Sequence, residues 1–291
     1  MHVYSQVDRA RNPNAVRTGP AGSQLALGLP PPPPPPRAKP ELVAGPGVEL
    51  VRPFRGPRFT RASPAELPPV GDRVILSLFD CSGHWSEPYR RAGYRVVQAD
   101  LELGDDVLDD RAWGCYLDAP GRRIAQLERA GAAAGGVWGV LAAPPCTEWA
   151  SSGNRWKAWK AAHEPETLEL AHRLMTRTLA IAHRLRPVWF ALENPTGQAG
   201  TVAGLGPAWL RFDPHEYAGW LDDGAEAGAE RYTKRTCIWG EGVREPERRD
   251  LGDLHGSKMH KASGGGRRGG GMRERSNTPR GFAAAFFAAN P

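Results

Sequence analysis

The chain has little cysteine: Cys81, Cys115, Cys146 and Cys237 are the only four in 291 residues, and none is paired at short spacing. That pattern excludes a zinc knuckle and a disulfide framework, and it suits a reducing compartment. Long apolar runs are also missing, and none approaches the ~18 residues of a membrane span. The opening residues, MHVYSQVDRARNP, lack the apolar stretch of a signal peptide. A cytoplasmic monomer with neither membrane nor metal is expected. What is present is ordinary for a soluble enzyme, 40% hydrophobic and 24% charged residues, with length enough for a sizeable core. The net charge of +6 admits a polyanionic partner.

Apolar periodicity is absent from residues 1–72, which carry an unbroken proline run from Pro30 to Pro36. This stretch reads as a disordered tail with a polyproline II segment, and 73–291 as the folded domain. Val74 to Phe79 reads as a buried strand running into Asp80-Cys81-Ser82-Gly83-His84-Trp85-Ser86. Glu87 to Ala92 then predicts a helix closed by Gly93, and Tyr94 to Ala99 a second strand ending at Asp100. A βαβ unit with a glycine in its first turn and an acid about 20 residues on is a nucleotide-binding pattern. In such units the turn's backbone approaches the cofactor and the acid takes ribose hydroxyls, the place of Asp100, while Asp106 stands where an acid would receive an adenine amino group. The other reading of each acid is a solvated loop residue. Only one glycine stands in the turn, where such turns often have two or three.

Gly121 to Ala134 predicts an amphipathic helix leading into the apolar run Val137 to Ala143, which stops at Pro144-Pro145. A buried strand ending on a double proline delivers the next side chain, Cys146, to the carboxyl edge of the sheet, where open α/β sheets bind ligands. Cys146 is therefore either a nucleophile or a buried thiol that follows a strand. In the loop Ser151 to Lys160, basic residues alternate with tryptophans. It could meet phosphates and bases, or be tucked onto the core. Pro165 to Arg186 has helical spacing, with His172 and His183 on its flanks. Val188 to Leu192 is the next strand, and it delivers Glu193-Asn194-Pro195 beside Cys146 if the two strands are neighbours. Tyr232 to Thr236 precedes the apolar Cys237 to Gly240. The Gly-rich stretch 242–275, basic from Leu254 onward, is either a nucleic-acid loop or disordered filler. Thr278-Pro279 caps a closing helix, Phe282 to Ala289, expected to pack back onto the sheet.

In this order the pieces resemble the DNA cytosine-5 methyltransferase family, most closely its short phage-type members. The cofactor turn matches FDCSGHWS at 79–86, and the Pro-Cys loop matches Ala143-Pro144-Pro145-Cys146. The Glu-Asn-Val motif matches Glu193-Asn194-Pro195, the basic Gln-x-Arg-x-Arg motif matches Tyr232 to Thr236, and the closing cofactor motif matches SNTPRGFAAAFF. The resemblance implies a Rossmann-like S-adenosylmethionine-dependent α/β fold, with a mostly parallel, doubly wound sheet and a small irregular target-recognition insert over 241–275. It implies Cys146 as the thiolate that adds to C6 of a flipped cytosine, Glu193 as the acid at N3, Asn194 fixing that carboxyl, and Lys234 at the cytosine edge. S-adenosyl-L-methionine would be bound by Phe79, Gly83, His84, Trp85, Ser86, Asp100, Leu101, Asp106, Pro144, Ser276 and Thr278. DNA, the implied partner, would meet Pro145, Ser151, Arg155, Trp156 and Arg235.

Several positions depart from the family. Cys81 replaces the first glycine of the turn, His84 and Trp85 replace a later glycine region, Thr236 replaces the second arginine and Pro195 replaces valine. The insert is short, so a short or relaxed sequence preference is expected. The altered turn, with His84 and Arg90 nearby, also fits a donor carrying a larger or charged group, such as carboxy-S-adenosylmethionine. Other readings are a non-catalytic DNA-binding relic of the fold, an RNA cytosine methyltransferase, and a folate-using nucleotide enzyme. The RNA enzymes usually place a second cysteine in the segment matching Glu193-Asn194-Pro195, which has none. The folate enzyme would not need the βαβ turn with Asp100.

Overall fold

The computed structural model describes residues 67–116, 118–151, 157–201, 203–257 and 276–291. In chain order the elements are β1 (Val74–Leu78), α1 (Glu87–Arg91), β2 (Arg95–Ala99), α2 (Asp110–Trp113), α3 (Arg122–Gly131) and β3 (Gly139–Ala142). They continue with α4 (Lys157–His163), α5 (Pro165–Leu185), β4 (Trp189–Pro195), β5 (Leu210–Phe212), α6 (Gly224–Ala229), β6 (Thr236–Glu241) and α7 (Arg280–Ala289). The six strands form one sheet in the order β2-β1-β3-β4-β6-β5. β1 to β4 run parallel, whereas β6 is antiparallel to both β4 and β5.

Both faces of the sheet are covered, as the largely apolar central strands β1, β3 and β4 require. Val74, Leu76 and Leu78 of β1 pack with Trp113 of α2, Ile124 and Leu127 of α3, and the apolar stripe of α5. Ile75 points the other way, into a cluster with Trp85, Tyr89, Trp189 and the α7 residues Phe282 and Phe286. The winding reverses at β1, because β2 lies on one side of it and β3 on the other. The crevice outside the carboxyl ends of β1 and β3 is therefore the ligand position expected of an open α/β sheet.

The structure corrects several boundaries. β1 ends at Leu78, because Phe79 adopts a left-handed φ of 59° and turns the chain out of the strand. β4 runs on through Glu193 and Asn194 to Pro195, since β6 pairs alongside them (Glu193 with Ile238, Asn194 with Cys237, Pro195 with Thr236). The expected loop Ser151 to Lys160 is helical from Lys157. Leu67 and Val70, expected in the tail, pack against the core, and residues 1–66 lie outside the described residues. Of the expected insert, 242–257 follow the 3₁₀ segment Pro214–Trp220. Backbone bonds run from Gly219 N to Arg249 O (2.9 Å) and from Arg249 N to Glu216 O (3.0 Å), and the Arg249 guanidinium lies 3.6 Å from the Trp220 ring centre. Residues 258–275 lie outside the described residues.

Thr278 does not cap α7. The carboxylate of Glu230 does so instead, accepting from the N–H groups of both Arg280 and Gly281. Those N–H groups have no partner within the helix, so an acid from elsewhere in the fold both satisfies them and complements the helix dipole. The rest of α7 is held by Phe282 and Phe286, both fully buried. A buried phenylalanine contributes about 1.5–3 kcal/mol. No described helix is long and apolar enough to cross a membrane.

Candidate active site

The parallel neighbours β3 and β4 end at the same sheet edge, and the Cys146 segment is tied to the Glu193 segment there. The amide of Asn194 donates to the Pro144 carbonyl (3.0 Å), which fixes the proline pair to the end of β4. Beyond Cys146 the chain makes one tight turn, in which Trp149 N and Ala150 N donate to the Cys146 carbonyl (2.9 and 2.8 Å). It then bonds to the loop after β4: Ser151 N donates to Thr196 O (3.0 Å) and Gln198 N to Trp149 O (2.7 Å). Thr196 N in turn donates to Arg235 O (3.1 Å), next to Lys234. Three chain segments, carrying Cys146, Glu193-Asn194 and Lys234, are thus joined by backbone hydrogen bonds. Trp149, fully buried against the edge of His172 (4.8 Å between ring centres), anchors the first of them.

The charges are set by this packing. Glu193 is buried, and burial pushes its carboxyl up from the usual range, with Lys234 pulling against the shift. Burial also raises the half-buried Cys146 thiol, the Glu193 charge adds to the rise, and Lys234 opposes it. A proton on Glu193 removes one of the two effects that hold the thiol protonated and leaves Lys234 to favour the thiolate. Among the described residues, Glu193 Oε1 and Asn194 Oδ1 are both buried without a hydrogen-bond partner, which is rare for buried polar atoms. Lys234 Nζ donates to the Asn277 carbonyl at 3.5 Å.

Asn277 leads to the second half of the site. His84 hydrogen-bonds the backbone carbonyl of Thr278, and its Nε2 lies 3.1 Å from the Arg280 guanidinium. Burial, with Arg280 beside it, lowers the His84 pKa, so the ring is neutral near pH 7. The first turn is built on buried Asp80. Its carboxylate accepts from the hydroxyls of Ser77 and Ser86 (both 2.9 Å) and from Ser86 N (3.2 Å). Gly83 is buried with φ +72°, and a β-carbon there would meet the Gln98 amide at 3.1 Å. Asp100 accepts from Glu102 N (2.8 Å) and from the Cys81 N–H, which joins the end of β2 to the turn. Burial, with the Glu102 and Asp80 charges nearby, raises its pKa.

Other expected site residues are placed differently. Trp85 is fully buried between the sheet and α7, 5.8 Å from the ring centre of Phe286, so it backs the turn rather than lining the crevice. Ser86 is buried as the partner of Asp80. Asp106 is exposed and turns its carboxylate to Leu108 N (2.9 Å). Phe79, Leu101 and Pro145 are partly exposed, Pro144 is buried, and Ser151 and Ser276 are exposed. The Arg90 guanidinium, beside the Gly83 turn, is taken up by Glu87 and Gln98. The Arg235 side chain pairs with Asp213 (3.2 Å). Arg155 and Trp156 lie outside the described residues. Asp213, His215 and Glu216 bring metal-type ligand atoms within 4.8 Å of one another, but Arg235 and Arg248 already pair with the two carboxylates. The sequence reading missed Asp80, whose signal is the three serines around it (Ser77, Ser82, Ser86). It also missed Gly197, Glu230 and Arg280, which carry no local signal.

No family model matches the chain, and no curated protein matches it. Among solved structures it is similar to a protein described as a candidate DNA modification methyltransferase encoded within a prophage (E. coli). The identity is 13%, the TM-score is 0.27, and the match covers 58% of this chain and 46% of that one. The chain therefore spans about half the length of that structure, and a likeness this low carries no chemistry across.

Proposed function

We propose that the protein is a DNA (cytosine-5-)-methyltransferase that uses S-adenosylmethionine, with Cys146 as nucleophile and Glu193 as the acid. One observation carries the reading. A thiol and a buried carboxyl stand at the ends of adjacent parallel strands, where the carboxyl raises the thiol and Lys234 opposes the rise of both. Addition of a thiolate to C6 of cytosine forms the S–C6 bond and moves the C5=C6 electron pair into the ring, toward N3 and O2. A carboxyl that burial raises is the better proton donor to N3 as that charge develops, which is the role given to Glu193. C5 then becomes nucleophilic. Later loss of its proton to a base, with expulsion of the Cys146 sulfur, restores the ring. Lys234 favours the thiolate and supports the cytosine edge, and the target base must leave the duplex stack to reach these groups.

The residues of the first turn fit the donor. Gly83 gives the turn the left-handed φ of +72° it needs, and Asp100 presents a carboxyl of raised pKa suited to hydroxyl donors. Gly83, His84, Asp100 and the Ser276–Thr278 segment would hold S-adenosylmethionine, which supplies an electrophilic methyl group when bound. A donor bearing a carboxylated methyl group, such as carboxy-S-adenosylmethionine, is the second reading. Arg280 favours it, because its guanidinium stands at His84 where Arg90 does not.

Nucleoside mass spectrometry on DNA incubated with the protein and either donor tests both. A 5-methylcytosine peak, lost in Cys146→Ser, supports the first reading, and a carboxymethyl product supports the second. No product from either donor, or from DNA of expressing cells, would leave a DNA-binding relic of the fold.

A further inference from the structure

α3 carries cations at the end where a helix tolerates them least. Arg122 and Arg123 occupy its first turn, no acidic residue accompanies them, and Gly121 supplies no side-chain cap. The helix dipole and the unpaired N–H groups already make that end positive, so two arginines there concentrate a field that favours an anion. Arg122, Gln126 and Arg129 recur at spacings of four and three and share one face of the helix. With Arg123, Gly104 and Asp105 they border a cleft of about 490 Å³. Asp105 pairs with Arg123 and is nearly covered. Arg122 meets Asp109 only at 3.5 Å, with both side chains more than a third exposed, so that pair is easily exchanged. Arg129 makes no ion pair among the described residues.

From this arrangement we infer that the Arg122–Arg129 face of α3 is a second DNA contact, one that grips backbone phosphates. The inference rests on the reading of the protein as a DNA-modifying enzyme. Seven residues of helix place the two arginines about 10 Å apart along the axis, far enough to reach separate phosphates of one strand. Gly104 and Asp105 follow the carboxyl end of β2, so the Arg122 end of the cleft lies at the sheet edge that carries Cys146, and α3 runs from there to Ala130, whose carbonyl meets Arg95 at the start of β2 (3.5 Å). β2 and β3 flank β1, and at about 4.8 Å per strand the two ends lie about 10 Å apart. Contacts of this kind position DNA without reading its sequence.

The test is the salt dependence of duplex binding by the full chain, read by fluorescence anisotropy over a series of KCl concentrations. Each phosphate contact contributes about 0.9 to the slope of log K against log[salt]. The Arg122→Gln/Arg129→Gln double variant should flatten the slope by about 1.8, and Arg122→Lys/Arg129→Lys should restore it. Circular dichroism checks that the exposed substitutions leave the fold intact. An unchanged slope in the Gln variant, with wild type binding and modifying DNA, overturns the inference alone. If the slope is unchanged but titration calorimetry shows dCMP binding lost, the cleft takes a free nucleotide and the inference is again overturned. If wild type neither binds nor modifies DNA, the functional reading fails and the inference fails with it.

Discussion

Gly197 lies against Trp149 so closely that a β-carbon on it would sit 1.8 Å from the Trp149 carbonyl oxygen. That approach allows the bridge between Ala150 and Gly197 and the 2.7 Å bond from Gln198 N to Trp149 O. Any side chain at 197 must push the Cys146 loop away from the end of β4. Gly197→Ala should cost about 1–3 kcal/mol, the range for breaking buried hydrogen bonds. It should also lower kcat far more than it changes DNA affinity, because it displaces the nucleophile and leaves the distant basic surfaces alone. Thermal melts with steady-state kinetics check this. Unchanged kcat with a lowered Tm would make the contact structural only.

Cys146 should be slow to alkylate at neutral pH, because burial and the Glu193 charge both hold its thiol protonated. The sign of each neighbour can be read separately. Glu193→Gln removes a negative charge and should move the pH profile of iodoacetamide modification to lower pH. Lys234→Met removes the one opposing cation and should move it higher. In activity assays Glu193→Gln should lose about 10²–10⁴-fold in kcat, the usual range for a general acid. A profile that Lys234→Met leaves in place would separate Lys234 from the nucleophile.

Strands β1 to β4 were legible because a doubly covered parallel sheet needs largely apolar runs, whereas the short strand β5 was not anticipated. Val74 to Leu78 (broken only by Ser77), Val140 to Ala142 and Phe190 to Leu192 supply them, and Asp80, Cys146 and Glu193 follow at the same edge. The bringing together of Cys146 and Glu193 followed from β3 and β4 being neighbours. What the chain did not disclose depends on partners distant in sequence. Trp85 follows Gly83 and His84 in the turn read as cofactor-binding, and the packing of Phe282 and Phe286 shows that it faces inward. Glu193 and Asn194 looked like loop residues after a strand until β6 was found beside them. The cap of α7 comes from Glu230, fifty residues away, so no local pattern around Thr278-Pro279 could reveal it.

That distant cap makes its own prediction. Glu230→Ala leaves the Arg280 and Gly281 N–H groups without the carboxylate, and losing a helix cap typically costs about 0.5–2 kcal/mol. The first turn of α7 carries Arg280, which stands at His84. The same change should therefore weaken donor binding as well as lower Tm. Glu230→Gln, which keeps acceptor oxygen but loses the charge, should recover part of both. Donor affinity by calorimetry, unchanged while Tm falls, would detach Arg280 from the donor pocket.

Glu241 closes β6 at the edge away from the candidate site, and burial raises its carboxyl to about 7. In the unfolded chain the same group titrates near the usual glutamate value of about 4.3. Between those values the folded state holds the proton and the unfolded state has lost it. The folded form therefore has this advantage fully below about pH 4.3 and loses it as pH rises toward about 7. Glu241→Gln cannot ionise, so it should melt higher than wild type at pH 8, and the two should converge at pH 4. The site edge is untouched, so kcat should hold at both values. A Tm gap that stays constant across the range would mean that Glu241 is not titrating with folding and that the variant acts through packing alone.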